Sequence, residues 1–123
     1  MNKLTNQECF NKVWDWFVVN KNPQSVKDNN VCQYRGPSGA KCAAGVLMRD
    51  EDYSVEFEGY GVNGINDSLN QYFNDLVQDI CFVAKLQQAH DNWNIIIHNK
   101  DFSIHMETTL TKLAQEHNLQ IPA

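Results

Sequence analysis

Hydrophobic residues near the N-terminus recur at helical spacing and predict the first element of the fold. They lie at i, i+3, i+4, i+7 and i+8, which places them on one face of an amphipathic helix over residues 6–20. Thr5 and Glu8 form a capping-box pattern at the start of this helix. Trp16 falls off the hydrophobic face, so we expect it to meet a second layer of the fold or to lie exposed. The residues of the hydrophobic face are Phe10, Val13, Trp14, Phe17 and Val18.

Two further hydrophobic patterns predict helices in the second half of the chain. One runs over residues 66–90 and predicts a helix that is either unbroken or interrupted near Asp79. The other predicts a last helix, which Asp101 or Ser103 would cap at its start. Asn118 is a plausible end for this helix, because asparagine tolerates the left-handed conformation.

Polar and glycine-rich segments separate these patterns. Residues 20–30 are polar and contain Pro23, and residues 58–64 hold three glycines, so we expect a loop in each place. Residues 93–98 include three consecutive isoleucines, but the run is too short to decide between strand and helix.

Residues 31–45 combine strand-forming residues, turn residues and the start of a helix. Residues 31–34 are a short β-type run, and Gly36-Pro37-Ser38-Gly39 is a turn sequence. Residues 40–43 then predict a returning strand, followed by a short helix over 43–48. The predicted fold class is therefore α+β: a mainly helical single domain in which one small antiparallel β-hairpin packs against three or four helices.

The composition predicts one globular domain that spans residues 1–123. Hydrophobic residues make up 42% of the chain, which is enough for a real core. The net charge of −5 argues against a broad nucleic-acid surface. No run approaches the ~20 apolar residues of a membrane span. No secretory signal is recognisable, so we expect a cytoplasmic protein.

The four cysteines are predicted to be reduced, mostly buried thiols. They are Cys9, Cys32, Cys42 and Cys81, and no pair shows C-x-x-C spacing. A hairpin would bring Cys32 and Cys42 close enough for one disulfide, but a cytoplasmic setting favours the thiols. The histidines also lack the close pairing that is typical of zinc ligands. We therefore expect no metal and no other cofactor.

A phosphate-binding loop and a cysteine nucleophile are both weaker interpretations of residues 32–42 than a structural role. Gly36-x-x-Gly39-x-Lys41 resembles part of a phosphate loop, but its spacing differs from G-x-x-x-x-G-K-[ST], and Cys42 replaces the hydroxyl residue. A cysteine nucleophile needs a neighbouring base, and the sequence places no histidine beside Cys32 or Cys42. The protein is therefore not predicted to be an enzyme, and no catalytic residue is assigned.

A signature across residues 32–45 resembles that of a family of small bacterial and phage proteins. The shared pattern is C-x-Y-R-G-P-x-G-x-K-C-A-x-G, which reads Cys32-Gln33-Tyr34-Arg35-Gly36-Pro37-Ser38-Gly39-Ala40-Lys41-Cys42-Ala43-Ala44-Gly45 here. Similar segments follow as Asp50-Glu51-Asp52-Tyr53, Glu58-Gly59 and Leu86-Gln87-Gln88-Ala89-His90-Asp91. The resemblance implies a bacterial or phage cytoplasmic protein and carries no activity with it. If the first and last segments meet in space, they define one site.

Two functions fit these observations. The first is a non-enzymatic binding protein, such as a phage-type inhibitor or adaptor that engages a host protein, with Trp16 on its surface. The second is a protein that binds a nucleotide or another small anionic ligand, with hydrolysis as a further option. Its site would lie near the 35–41 turn, where Arg35 and Lys41 face an anion and His90 and Asp91 complete the site. Alternatively, Arg35 ties the turn to Asp91 or to another acidic residue of the fold.

Overall fold

The computed structural model describes residues 2–26, 32–62, 64–93 and 101–122. Within these ranges the chain is mainly helical and forms no β-strand, only isolated bridges. Short 3-10 turns at Pro37–Gly39, Asp50–Asp52 and Val55–Phe57 connect the helices in the middle of the chain. The α-helices of the described residues are α1 (Asn6–Trp14), α2 (Ala43–Leu47), α3 (Asp67–Leu76), α4 (Ile80–Asp91) and α5 (Phe102–Glu116).

The N-terminal helix is confirmed with its capping box. The Thr5 hydroxyl accepts a hydrogen bond from the Glu8 amide, and the Glu8 carboxylate accepts one from the Thr5 amide. After Trp14 the helix continues as one π-helical turn, Asp15–Val19. This wider turn keeps Phe17 in the core, where it is fully buried, while Trp16 is only partly buried.

The long helical pattern of residues 66–90 is interrupted near Asp79, one of the two possibilities that the sequence left open. Helix α3 ends at Leu76, and Val77 forms a parallel bridge with Leu4. The Asp79 carboxylate then accepts hydrogen bonds from the amides of Cys81 and Phe82, so it caps the start of α4.

The end of the last helix is also confirmed. Asn118 has a φ of 56°, and the Leu119 amide donates back to the Ala114 carbonyl at 2.8 Å. Asp101 precedes this helix, although its side chain makes no capping hydrogen bond. The ambiguous segment 93–98 lies outside the described residues except for Trp93, so the choice between strand and helix stays open.

The predicted β-hairpin, and with it the α+β fold class, is wrong. Among the described residues, the two sides of the turn pair only through a single antiparallel bridge between Arg35 and Lys41, and Cys32 pairs instead with Val26, outside the signature. The Gly36 amide donates to the Ala40 carbonyl, and Pro37–Gly39 forms a 3-10 turn between them. The fold described here is helical, with one tight turn where the sequence predicted two strands.

A side chain from outside the segment takes the hydrogen bonds that a second strand would need. The Glu58 carboxylate accepts from the Tyr34 amide at 2.8 Å and from the Arg35 amide at 3.1 Å. On the other side of the turn, the Cys42 sulfur accepts from the Gly45 amide and caps α2, so the helix begins directly after the bridge. Too few residues lie between the bridge and α2 to extend the bridge into a two-stranded ladder.

The core lies where α1, α2, α4 and α5 meet. Helix α1 contacts the other three, and α4 also contacts α2 and α5. Gly45 of α2 packs so closely against the Tyr34 carbonyl group that no side chain fits between them. The largest fully buried side chains are Phe10, Phe17, Phe73, Phe82, Leu69, Leu86, Met106, Leu110 and His90.

The helices are short compared with the thickness of a bilayer. The longest one, α5, has 15 residues, whereas a spanning helix needs ~20 apolar residues. In the described ranges no helix combines the length and the apolar character that crossing a membrane requires.

Candidate functional site

The structure separates the predicted site residues into two groups. Arg35 and Lys41 both face Asp50: the guanidinium nitrogen Nη2 of Arg35 lies 2.8 Å from its carboxylate, and the Lys41 ammonium lies 3.6 Å from the same oxygen. His90 and Asp91 belong to a second cluster at the end of α4. The predicted single site is thus found in two parts.

Arg35 uses its guanidinium group to hold the chain together. It donates to the Gly45 carbonyl within α2 and to the Met48 carbonyl just after α2, and it lies over the Tyr53 ring at 5.6 Å. Its side chain is only 17% exposed. These contacts match the alternative in which Arg35 ties the turn to an acid of the fold, and that acid is Asp50 rather than Asp91.

Trp16 joins the first group through Lys41. The Lys41 ammonium lies 4.9 Å from the centre of the Trp16 ring, a cation–π contact. The indole N–H is buried and has no hydrogen-bond partner among the described residues. Since Lys41 partly covers the ring, Trp16 is engaged inside the fold on that side.

The second group is built around the buried side chain of His90. Its ring lies between Phe17 and Phe102, with centroid distances of 5.6 and 5.5 Å. The Ser25 amide donates to Nε2 at 3.0 Å, and Nδ1 lies 2.8 Å from the Asp91 carboxylate. An amide donor at Nε2 requires a free lone pair there, so in the neutral ring the proton is on Nδ1, where it is donated to Asp91.

Opposing effects act on the pKa of His90. Burial lowers it, whereas the hydrogen bond to Asp91 and the contact with Cys32 raise it, and together they raise the pKa above its usual value. The Ser25 amide works against this rise, because protonation would point one N–H group at another. The observed geometry therefore belongs to the neutral ring.

Cys32, Gln87 and Asp91 line a cavity of about 210 Å³ beside His90. The Gln87 amide nitrogen lies 2.8 Å from the Cys32 sulfur and donates at 2.8 Å to Oδ1 of Asp91. Its amide oxygen accepts from the Ala44 amide at 2.9 Å. Gln87 thus links the start of the signature, helix α2 and the end of α4 in one network.

The other wall of the cavity is made by the glycine-rich loop. The residues that line it there are Gly59, Tyr60 and Gly61, together with Tyr34. The Tyr34 hydroxyl donates to the Tyr60 carbonyl at 2.6 Å, and Glu58 binds the Tyr34 amide. Glu58 also accepts from the Tyr53 hydroxyl, and burial and this contact raise the pKa of Tyr53 to about 12. Tyr34 is therefore fixed both at its amide and at its hydroxyl, and it ties this wall to Glu58 and Tyr60.

The Cys32 thiol is not arranged as a nucleophile. A hydrogen bond with Cys42 and burial raise the pKa of Cys32 well above its usual value, so the thiol keeps its proton. In a Cys–His–Asp triad the sulfur and the carboxylate face opposite nitrogens of the imidazole. Here both lie at Nδ1 of His90, with the sulfur at 4.0 Å, so His90 offers the thiol no free base.

Cys32, His90 and Asp91 bring three possible metal ligands within 4.8 Å of one another. Coordination through Nδ1 of His90 would move the ring proton to Nε2, and that proton would then meet the Ser25 amide. Metal binding would therefore break a buried hydrogen bond. The chemistry of this donor set fits a hydrogen-bond network better than a zinc site.

We expect the purified protein to retain no zinc after incubation with excess zinc and gel filtration. The reason is the buried Ser25 amide at Nε2 of His90, which competes with metal coordination at the opposite nitrogen. Elemental analysis of the protein peak measures this directly. One zinc per chain, lost in a Cys32→Ser variant, would contradict the interpretation.

Sequence reasoning found His90 and Asp91 but assigned no role to Gln87, Tyr34 or Tyr60. The spacing of Gln87 and Asp91, four residues apart on a helix, does predict that their side chains meet. No comparable pattern places Tyr60 at the same cavity as α4, because its position depends on how the loop 58–61 folds back.

Comparisons of this chain with protein families, with curated proteins and with solved structures find no match. The resemblance of the 32–45 signature to small bacterial and phage proteins therefore stays a prediction from the sequence. The contacts described above give structural roles to Tyr34, Arg35, Cys42 and Gly45 of that signature. Cys32 and Tyr34 are the signature residues that also line the cavity.

Proposed function

We propose that this chain is a non-enzymatic binding protein that accepts a positively charged side chain of a partner protein in the cavity lined by Cys32, Gln87 and Asp91. The observation that supports this proposal is the Asp91 carboxylate at the cavity wall, where Oδ1 accepts two hydrogen bonds and Oδ2 accepts none from the described residues. We propose that it acts in the cytoplasm as an inhibitor or adaptor of a host protein.

The charge of the cavity favours a cationic ligand. Asp91 is 41% exposed, and its Oδ1 accepts hydrogen bonds from Gln87 and His90. Its Oδ2 accepts none from the described residues, so it is available to a ligand. The basic residues Arg35 and Lys41 do not line the cavity and pair with Asp50 instead. The net charge of −5 adds an attraction for cations at longer range.

The size of the cavity and the tyrosines that line it restrict further which class of ligand fits. A volume of about 210 Å³ holds one side chain rather than a nucleotide, since drug-sized pockets begin at ~300 Å³. Tyr34 and Tyr60 are among the residues that line the cavity, and of the two Tyr60 is the exposed one. Aromatic faces attract guanidinium and ammonium groups. A carboxylate with a tyrosine beside it fits arginine best, because the planar guanidinium can both pair and stack.

The same geometry argues against the anionic ligand that the sequence also suggested. Arg35 and Lys41, the two cations proposed for that role, already share Asp50. The Nε2 atom of His90 faces the Ser25 amide and offers nothing to an anion. A phosphate placed in the cavity would meet the Asp91 carboxylate instead of a donor.

The proposal predicts weak but selective binding of N-acetyl-arginine amide, with a dissociation constant on the order of 1 mM for such a fragment. Nuclear magnetic resonance titration should shift the amide signals of Gly59 and Gly61 and of Asp91. N-acetyl-citrulline amide is the matched probe, because it keeps the shape of arginine and lacks the charge. We expect it to bind at least about tenfold more weakly.

Asp91→Asn is the matched control variant. The asparagine carbonyl can still accept from Gln87 and His90, so the variant removes the charge and keeps the network. We expect an unchanged melting temperature and loss of the preference for arginine over citrulline. Equal binding of the two probes to the unmodified protein, or tighter binding of inorganic phosphate at these residues, would refute the proposal.

A further inference from the structure

We propose that the surface groove between α4 and α5 is a second ligand site, which binds a sugar phosphate. Lys85, Lys112 and His117 hold the phosphate, and uncharged side chains further along the groove hold the sugar hydroxyls. The groove has a volume of about 540 Å³, within the range of small-molecule sites. It shares no lining residue with the cavity at Asp91, so this site is independent of the proposed function.

One face of each helix lines the groove. The lining positions are 85, 88, 89 and 92 along α4 and 109, 112, 113 and 116 along α5. Both sets follow the spacing i, i+3, i+4, i+7, which places the members of each set on a single side of the helix. Ala89 and Leu113 are buried at the bottom, and the methyl group of Ala89 leaves space that a longer side chain would fill.

The two helices run in opposite directions along the groove. The carbonyl oxygen of Ala89, near the end of α4, lies 2.8 Å from Nε2 of His105, near the start of α5. Lys85, closer to the start of α4, meets His117, which directly follows α5. The groove extends over about two helical turns, or ~10 Å, from Lys85 to Asn92. Its two ends therefore differ in chemistry.

The end at Lys85 is basic, although the chain as a whole carries a net charge of −5. The Lys85 ammonium donates to Nε2 of His117 at 3.3 Å. Lys112 lines the opposite wall, and its flexible four-carbon stem lets the ammonium reach an anion held there. None of the ion pairs among the described residues involves Lys85 or Lys112, so no carboxylate there neutralises them. An anion shared by these groups would be stabilised by all of them.

The number of basic groups fits a phosphate monoester better than a carboxylate. A phosphate monoester carries about 1.5 to 2 negative charges at pH 7 and has three terminal oxygens, whereas a carboxylate has one charge and two oxygens. Once Lys85 turns to the anion, Nε2 of His117 can donate as well, because the ring proton can occupy either nitrogen. Glu116 also lines the groove, and its exposed carboxylate opposes any anion and limits the affinity.

The rest of the groove offers uncharged hydrogen-bonding groups. Gln88 and Asn92 present exposed amides along α4, and Thr109 presents a hydroxyl on α5. Amides and hydroxyls both donate and accept, as the hydroxyl groups of a sugar require. Apart from His117, no aromatic ring of the described residues lines the groove, so a nucleobase would find no face to stack on. These side chains therefore favour a sugar phosphate over a nucleotide.

The test is a nuclear magnetic resonance titration of the full chain with ribose 5-phosphate, ribose, inorganic phosphate and adenosine 5′-monophosphate. We expect ribose 5-phosphate to bind with a dissociation constant on the order of 1 mM, at least about tenfold more tightly than ribose or inorganic phosphate. Adenosine 5′-monophosphate should gain nothing from its base. The amide signals of Ala89, Asn92 and Leu113 should shift, whereas those of Gly59 and Gly61 at the other cavity should not.

Lys85→Ala and Lys112→Ala should each weaken the binding of ribose 5-phosphate at least about fivefold, because each removes one ammonium group. Lys12→Ala is the matched control, since it removes an exposed lysine of α1 that does not line the groove. Glu116→Gln should tighten binding about twofold, because it removes the opposing charge. All four positions are exposed, so we expect unchanged melting temperatures.

Ribose 5-phosphate that binds no more tightly than inorganic phosphate would indicate an adventitious ion only and would overturn the site. An equal loss in Lys12→Ala would show attraction by net charge alone, with the same consequence. Adenosine 5′-monophosphate bound about tenfold more tightly than ribose 5-phosphate would overturn the assignment to a sugar. Shifts confined to Gly59 and Gly61 would place the anion in the cavity at Asp91 and contradict both proposals. If only the arginine probe fails to bind, the proposed function fails and this site stands.

Discussion

Replacement of Gly45 by alanine is expected to destabilise the protein by ~3 kcal/mol or more, although alanine is the better helix former. A Cβ atom at this position of α2 would press into the backbone carbonyl of Tyr34, with the carbonyl carbon only 3.1 Å away. Helix propensity alone predicts a gain of ~1 kcal/mol for the same substitution. The two expectations differ in sign, so denaturant unfolding distinguishes them.

Gly61→Ala is the matched control. A Cβ at Gly61 meets no atom within 4 Å, and its backbone is not in the left-handed region. We expect a change within ~0.5 kcal/mol, as is usual for open surface positions. If Gly45→Ala matches Gly61→Ala, the close approach of α2 to Tyr34 is not present in solution.

The helices were predictable because their signals are local. Capping by Thr5, the interruption near Asp79 and the end at Asn118 each depend on residues within one or two turns of the helix terminus. Hydrophobic periodicity then supplies the buried face. None of these features needs knowledge of the rest of the fold.

The hairpin was not predictable from the same kind of signal. Its turn residues and strand formers are all present, and the Arg35–Lys41 bridge does form. Glu58, more than twenty residues away, takes the Tyr34 and Arg35 amides, and this contact follows no pattern in the sequence. Strand propensity describes how a segment fits a pleated surface, and here no such surface exists.

The candidate site divides in the same way. His90 and Asp91 were identified as neighbours on one helix, whereas the partner of Arg35 depended on where the chain after α2 turns. That turn brings Asp50 to the guanidinium group and leaves the cavity to Asp91. The residue types suggested an anion site at Arg35 and Lys41. In the folded chain these two cations pair with Asp50, and the charged group that lines the cavity is the Asp91 carboxylate.

Arg35→Ala is expected to cost ~3 kcal/mol of unfolding free energy, because it removes a largely buried guanidinium group. The carbonyls of Gly45 and Met48 lose their donor, and an unsatisfied buried polar group costs ~1–3 kcal/mol. The contact with the Tyr53 ring is lost as well. Urea unfolding followed by tryptophan fluorescence measures the change.

Lys41→Ala separates this structural role from a recognition role. Its ammonium makes one looser ion pair at 3.6 Å and one contact with the Trp16 ring, which together contribute no more than ~1 kcal/mol. Arg35→Lys should recover only part of the stability, because a single ammonium group cannot reach two carbonyls and Asp50 at once. The Lys41→Ala and Arg35→Lys variants should bind N-acetyl-arginine amide normally in their folded fraction, since neither Lys41 nor Arg35 lines the cavity. If Arg35→Ala instead keeps its stability and loses ligand binding, Arg35 acts in recognition, and the division between a structural cluster at Asp50 and a binding cavity at Asp91 does not hold.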